Sequence, residues 1–317
     1  MTRVVLDLLG GDHAPDAVVD GALLAAARDP RVRITLVGPV DVAADLLAAR
    51  GSAGRLAVVA ADDVVEMDES PVRGVRSKPH ATVRVCAELV RDGAADAMVS
   101  VGSTGATLTA AMLSLGRLRG MSRPALAAIM PAKAGPLVLL DIGATPDVDA
   151  RLLAQFALAG VAFAQVRLGL AEPRVGLLTI GEESGKGDAL RKEAYDVLRR
   201  LPIHFAGNVE GGDVPLGGAA DVIVTDGFTG NVLLKGLEGL ARLLGPSDDT
   251  AELTPDVLGG AVLLGVNGVC VVGHGSSSPE AVAACVEVAV QAVTEGLVPK
   301  IGMALGRLLD EQQVVPT

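Results

Sequence analysis

Six apolar, strand-like runs in this chain each end in a turn rich in Gly, Ser, Thr and Asp, and after most of them a helix-like pattern begins. The turns read Gly10-Gly11-Asp12-His13, Gly102-Ser103-Thr104-Gly105, Asp141-Ile142-Gly143-Ala144, Gly181-Glu182-Glu183-Ser184-Gly185-Lys186-Gly187, Asp226-Gly227-Phe228-Thr229-Gly230-Asn231 and Gly273-His274-Gly275-Ser276-Ser277. Parallel strands need a crossover, usually a helix, so this repetition constrains the fold to an α/β, doubly wound, mostly parallel sheet with helices on both faces. In such a sheet the turns fall at the carboxyl ends of the strands, where helix N-termini offer free N–H groups to anions. The pattern predicts a chain built around an anion.

Hydrophobic periodicity places strands at 4–8, 34–37, 56–59, 97–101, 125–130, 137–140, 175–178, 222–225 and 269–272. It places helices at 15–28, 41–49, 81–91, 104–115, 149–168, 188–200, 231–244 and 279–295. One pair breaks the alternation. The runs at 125–130 and 137–140 are joined only by Pro131-Ala132-Lys133-Ala134-Gly135 and the residue after it, too short for a parallel crossover, so they read as an antiparallel hairpin. The stretch 257–272 reads as loop and buried strand, and Gly245 to Thr250 as a loop tip.

At 317 residues there is ample core for one large α/β domain or two intimate ones. A net charge of −11 and an aromatic content of 2% argue against a nucleic-acid surface, which needs a basic stripe and stacking platforms. Cys86, Cys270 and Cys285 sit among apolar residues without metal-ligand spacing and read as reduced core thiols. The N-terminus lacks the pattern of a signal peptide, and the longest apolar stretch is short and cut by glycines, so a cytoplasmic protein is expected.

The Gly181 to Gly187 turn is not a P-loop: three residues rather than four separate Gly181 from Gly185, and Gly187 follows the lysine. It is still a glycine-rich turn with a cation, Lys186, before a helix, which suits a phosphate or carboxylate as well as a plain flexible turn. No dinucleotide fingerprint follows the first strand, and no GxSxG elbow, HExxH or EF-hand loop occurs, so neither a cofactor nor a metal is expected. Asp7 and Asp12 read as hydrogen-bonding groups rather than metal ligands. Ser103 and Thr104 are placed to cap a helix, with Gly102, Gly105 and Ala106 allowing close approach to the backbone. Asp226 adds an acid to the same logic, or simply bonds to its own turn. Of four histidines, His13 and His274 lie in strand-end turns and are candidates for acid and base work, against a role in loop support; His204 reads as structural and His80 as a cap or surface residue. Two basic clusters, Arg73, Arg76 and Lys78, and Arg117, Arg119 and Arg123, are either solvated surface or docking sites for an acidic partner.

Eight segments in order resemble the PlsX-type phosphate acyltransferases, and the resemblance covers nearly the whole chain. They are Leu8-Leu9-Gly10-Gly11-Asp12-His13-Ala14-Pro15, Met67-Asp68-Glu69-Ser70-Pro71-Val72-Arg73, Ser100-Val101-Gly102-Ser103-Thr104-Gly105-Ala106, Arg123-Pro124-Ala125, Asp141-Ile142-Gly143-Ala144, Gly207-Asn208-Val209-Glu210-Gly211, Thr225-Asp226-Gly227-Phe228-Thr229-Gly230-Asn231 and His274-Gly275-Ser276-Ser277. The resemblance implies a three-layer fold similar to isocitrate and isopropylmalate dehydrogenases, a homodimer, and transfer of a fatty acyl group from acyl carrier protein to inorganic phosphate for phospholipid synthesis. Leu9 and Ser103 stand where the family has Met and Asn. The residues between Leu244 and Gly265 are short and acidic where the family has a Lys-rich amphipathic tip, which puts peripheral membrane contact in doubt.

The expectation is a single domain over 1–317 with a variable tip at about 244–265. Phosphate attacks the thioester carbonyl directly. Amides around Ser103 to Gly105 and Thr229 to Asn231 form its cradle with Lys186 as cation, Asn231 and His274 are oxyanion donors, and His13 or Asp226 accepts a proton or orients phosphate. The basic clusters await the acidic carrier protein. Alternatives are a short-chain enzyme using coenzyme A thioesters, a decarboxylating dehydrogenase of the shared fold, or a silent carrier-binding module.

Overall fold

The computed structural model describes residues 1–66, 68–245 and 260–314. They divide into two compact units, one within Met1–Gly116 and Pro255–Thr294, the other within Arg117–Thr254 and Glu295–Thr317. The chain passes from the first unit to the second and back. Most of the expected tip, 246–259, lies outside the described residues.

In the first unit, β1 (Thr2–Asp7), β2 (Val32–Gly38), β3 (Ala57–Ala60), β4 (Ala97–Ser100), β10 (Ala261–Leu264) and β11 (Val269–Val272) lie in the order β3-β2-β1-β4-β11-β10. Five are parallel, with Val4 opposite Ile34 on one side and Ala97 on the other, and β10 alone runs antiparallel to β11. The helices are α1 (Asp16–Arg28), α2 (Val40–Ala49), α3 (Pro71–Ser77), α4 (Thr82–Arg91), α5 (Thr104–Ser114) and α10 (Pro279–Thr294). Leu6, Leu36, Met98 and Val271 are fully buried on this sheet. Gly21 lets α1 lie close on α10, since a Cβ there would sit 2.5 Å from Cβ of Val282.

In the second unit, β5 (Ala125–Met130), β6 (Leu137–Leu140), β7 (Arg174–Thr179), β8 (His204–Glu210) and β9 (Val222–Val224) lie in the order β5-β6-β9-β7-β8. β5 and β6 are the expected antiparallel hairpin, and the other pairings are parallel. The helices are α6 (Ala150–Arg167), α7 (Ala189–Leu198), α8 (Asp213–Leu216), α9 (Gly227–Leu244) and α11 (Leu297–Val314). Helix α6 buries 13 of its 18 residues, as a helix covered on several sides must, because α7 and α11 flank it while it rests on β6 and β9. Gly160 allows that seat: a Cβ would stand 2.7 Å from Cγ1 of Val222.

Candidate active site

The six strand-end turns sort into two groups of three, one in each unit. In the first unit the turns after β1, β4 and β11 interlock. The Asp12 amide donates to Gly275 O at 2.7 Å and the Gly273 amide to Ser100 O at 2.9 Å. Gly10 and Gly102 stand back to back, a Cβ on Gly10 falling 2.9 Å from the Gly102 nitrogen. Only glycine fits such an approach. Beneath it, the buried Ser100 hydroxyl donates to Oδ2 of Asp7 at 2.7 Å and accepts from the Gly102 amide at 3.2 Å. Asp7 therefore holds the turn that opens α5.

Ser103 is the N-cap of α5: its Oγ accepts from the Ala106 amide at 3.4 Å, and its carbonyl accepts from the Thr107 amide at 2.9 Å and the Thr107 hydroxyl at 3.0 Å. Among the described residues the amides of Ser103, Thr104 and Gly105 find no acceptor. They are orphan donors of the kind that bind anions at a helix N-terminus. The turn borders a cavity of about 180 Å³ lined also by Asp7, Gly10, Gly11, Thr82, Ser100 and Thr107, with Asp12 and Glu66 among its walls. Asp7 is 3% exposed, and its Oδ1 has no hydrogen-bond partner. Burial pushes its carboxyl above the usual carboxylate range, against nearby donors from Thr82, Ser100 and the Leu9 and Gly10 amides.

His274 is half-buried, and its Nδ1 accepts from the Ser276 amide at 3.2 Å and lies 2.8 Å from Ser276 Oγ. An amide donor at Nδ1 places the neutral ring's proton on Nε2, which fits a donor role. His13 is exposed on the neighbouring turn, where its carbonyl accepts from the Ala17 amide at 3.0 Å.

In the second unit the turns after β6 and β9 interlock, the Gly227 amide donating to Thr145 O at 2.9 Å, and Arg191 of α7 reaches the turn after β9. Asp141 is fully buried and accepts from the amides of Leu126, Gly143, Ala144 and Thr145 at 2.7–3.0 Å, which makes it an architectural residue. Asp226 caps α9: its Oδ1 accepts from the Thr229 amide at 2.8 Å and its Oδ2 from the Thr229 hydroxyl at 2.8 Å. Arg191 pairs with the same carboxylate and donates to Thr229 Oγ1 at 3.1 Å, Thr225 Oγ1 at 3.3 Å and Asp188 Oδ2 at 3.0 Å.

Three expectations change here. Helix α9 starts at Gly227, not Asn231, because Asp226 supplies the cap. The Thr229 amide is spent on Asp226 Oδ1 and the Gly230 amide on Asp226 O at 3.0 Å, so neither has a backbone donor left for phosphate. Asp226 is no proton acceptor near neutrality: burial raises its pKa, but the Thr229 hydrogen bonds and Arg191 outweigh burial and hold the carboxyl below its ordinary range. Asn231 donates from Nδ2 to Ile142 O at 3.1 Å, leaving its second amide hydrogen. Lys186 is exposed and makes no ion pair among the described residues, its stem folded against Gly181.

Of the first basic cluster, Arg73 and Arg76 are exposed on α3, but Lys78 is held by Glu69 and by Val64 O at 2.8 Å and is a structural cation. Of the second, Arg119 and Arg123 are exposed, and Arg117 donates to Ser122 O at 2.8 Å. Sequence reasoning missed Arg191, and Asp7 and Ser100 as a pair. The spacing from Asp188 to Arg191 marks a helix start, but nothing local reveals a partner 35 residues away.

The model of the fatty acid synthesis protein family matches residues 2–246. Phosphate acyltransferase of Heliobacterium modesticaldum is 44% identical over 94% of this chain and 96% of its own, and that of Desulfitobacterium hafniense strain DCB-2 is 39% identical over 98% and 100%. Among solved structures, a phosphotransacetylase from Streptococcus pyogenes shares the fold with a TM-score of 0.66 at 19% identity, over 93% of this chain and 94% of its own. A 4-hydroxythreonine-4-phosphate dehydrogenase from Burkholderia phymatum aligns with a TM-score of 0.50 at 13% identity, over 96% and 98%. The mostly parallel sheet with helices on both sides is the fold these phosphotransacetylase and dehydrogenase structures share. With relatives this similar over nearly its whole length, the chain belongs to the PlsX family of phosphate acyltransferases, enzymes that transfer an acyl group to phosphate.

Proposed function

We propose that this enzyme takes a fatty acyl group from acyl carrier protein thioester and delivers it to inorganic phosphate, the acyl phosphate then serving phospholipid synthesis. The observation that carries the phosphate part is the set of three unpartnered amides at the start of α5, on Ser103, Thr104 and Gly105. They offer donors at the positive end of a helix. A phosphate oxygen attacks the thioester carbonyl, the C–S bond breaks as the tetrahedral oxyanion collapses, and the departing thiolate takes a proton that phosphate gives up. No covalent enzyme intermediate is needed, in keeping with three buried cysteines whose thiols burial pushes up.

Side-chain roles rest on the chemistry of each residue. His274, whose Nδ1 is engaged by Ser276, and Asn231, with one uncommitted amide hydrogen, are assigned as donors to developing negative charge, and Lys186 as a cation for an anionic group of the substrates. His13 is assigned to orienting phosphate. Arg73 and Arg76, beside the exposed Val72 on α3, suit an acidic carrier protein, as do Arg119 and Arg123. The enzyme is read as a cytoplasmic homodimer; among the described residues no single helix is long and apolar enough to cross a membrane.

The test supplies acyl carrier protein thioester with phosphate, and then coenzyme A thioester in its place. Acyl phosphate formed only from the first donor is the expected result, and a preference for coenzyme A thioesters would overturn the carrier assignment. Lys186→Ala should lower kcat/KM for phosphate by about tenfold or more, the worth of one charge-assisted contact. Unchanged kinetics would remove Lys186 from the reaction.

A further inference from the structure

The cavity beside the α5 turn contains one group that the phosphate reading leaves unused. Oδ2 of Asp7 is occupied by Ser100, but Oδ1 is buried without a hydrogen-bond partner, and Asp7 lines a cavity whose walls carry the hydroxyls of Thr82, Ser103 and Thr107 together with the carboxylates of Asp12 and Glu66. A buried acceptor left unsatisfied is costly, so its retention points to a ligand that brings a hydrogen. Ser103, which opens α5 with its amide unpaired, borders the same cavity, so an anion held at that helix start reaches both. A cation would answer Oδ1 but not the amides, and no three carboxylates or histidines among the described residues converge as metal ligands. A tetrahedral oxyanion that keeps one O–H answers both.

We propose that Asp7 is a specificity-determining residue of the phosphate site, its Oδ1 accepting a hydrogen bond from the P–OH of singly protonated phosphate and thereby excluding sulfate. The inference rests on phosphate binding at the α5 turn. Phosphate near neutral pH carries a hydroxyl; sulfate is the same shape with none. Sulfate in the cavity would set an oxygen against Oδ1 with no hydrogen between them, a repulsion that also leaves the carboxylate unpaired. Sites built to bond a substrate hydroxyl reject analogues lacking it by large factors, and here sulfate should bind at least about a hundredfold more weakly than phosphate.

The experiment is titration calorimetry of the full chain with four anions: phosphate and arsenate, which are protonated near neutrality, and sulfate and molybdate, which are not. Wild type should bind the first pair and not the second. Asp7→Asn keeps an acceptor for Ser100 and puts an amide donor in place of Oδ1, so it should bind phosphate about tenfold more weakly and gain sulfate binding. A gain of binding cannot come from misfolding, and the wild-type anion series needs no variant at all. Sulfate binding to wild type as tightly as phosphate overturns the inference while leaving the phosphate site intact. Failure of phosphate and arsenate alike to bind wild type overturns the phosphate reading itself.

Discussion

Removing the Arg191 guanidinium should weaken the second unit by an amount that the structure sets and that acid partly restores. Arg191 is 9% exposed and its Asp226 partner 5%, so Arg191→Met strands a carboxylate inside the protein. Breaking a buried pair this way typically costs 3–5 kcal/mol, and because the Thr229 amide and hydroxyl still serve Asp226, the lower end, about 3 kcal/mol, is expected. For a unit of this size that is a fall in Tm of about 6–12 °C. Tyr195 is the chain's single tyrosine, with no tryptophan present, and it packs edge-on against Phe205 at 5.2 Å in the same unit. Its fluorescence and near-UV circular dichroism therefore report on this unit. In the wild type the lowered Asp226 pKa contributes stability that is present above the unfolded carboxylate value and lost as pH falls through the folded one. In the variant the lowering by Arg191 is gone while burial still raises the pKa, so Asp226 takes a proton at higher pH than in the wild type, and the deficit should shrink as the pH falls toward the carboxylate range. A fall of under about 2 °C, or a deficit that grows in acid, would refute this account of the pair.

Other outcomes follow from single contacts. Gly230→Ala places a methyl against the Asp141 carbonyl, whose turn is pinned by four amides, and should cost about 3 kcal/mol or more, read as a drop in the same Tyr195 transition. Gly236→Ala, in the same helix but facing open space, should instead raise stability by about 0.5–1 kcal/mol. The thiols are pushed up by burial, Cys86 well above its ordinary value and Cys270 and Cys285 to about 12, so iodoacetamide at pH 8 should leave the native protein unlabelled by mass spectrometry and label all three thiols after denaturation.

Local pattern determined most of the architecture. Alternating apolar runs and amphipathic helices placed β5, β6 and β11 at their observed bounds and the other expected elements within a few residues, and the short Pro131 to Gly135 link called for the hairpin that pairs Ala127 with Leu140. The composition of the six turns made Ser103 legible as a cap and Asp226 legible as bonding its own turn, because capping is a contact over three residues. What lay beyond sequence was the choice of partners far apart in the chain. That Arg191 answers Asp226 across 35 residues, and that Asn231 donates to Ile142 O across 89, are contacts settled by distance in space. Strand β10 and helix α11 were missed because glycines and prolines blur their periodicity until packing holds them. Asp7 shows the division most sharply. In sequence it is a polar residue ending an apolar run; the fold brings Ser100 against it across 93 residues and leaves its other oxygen facing no partner, and only that arrangement turns a carboxylate into a reader of the anion.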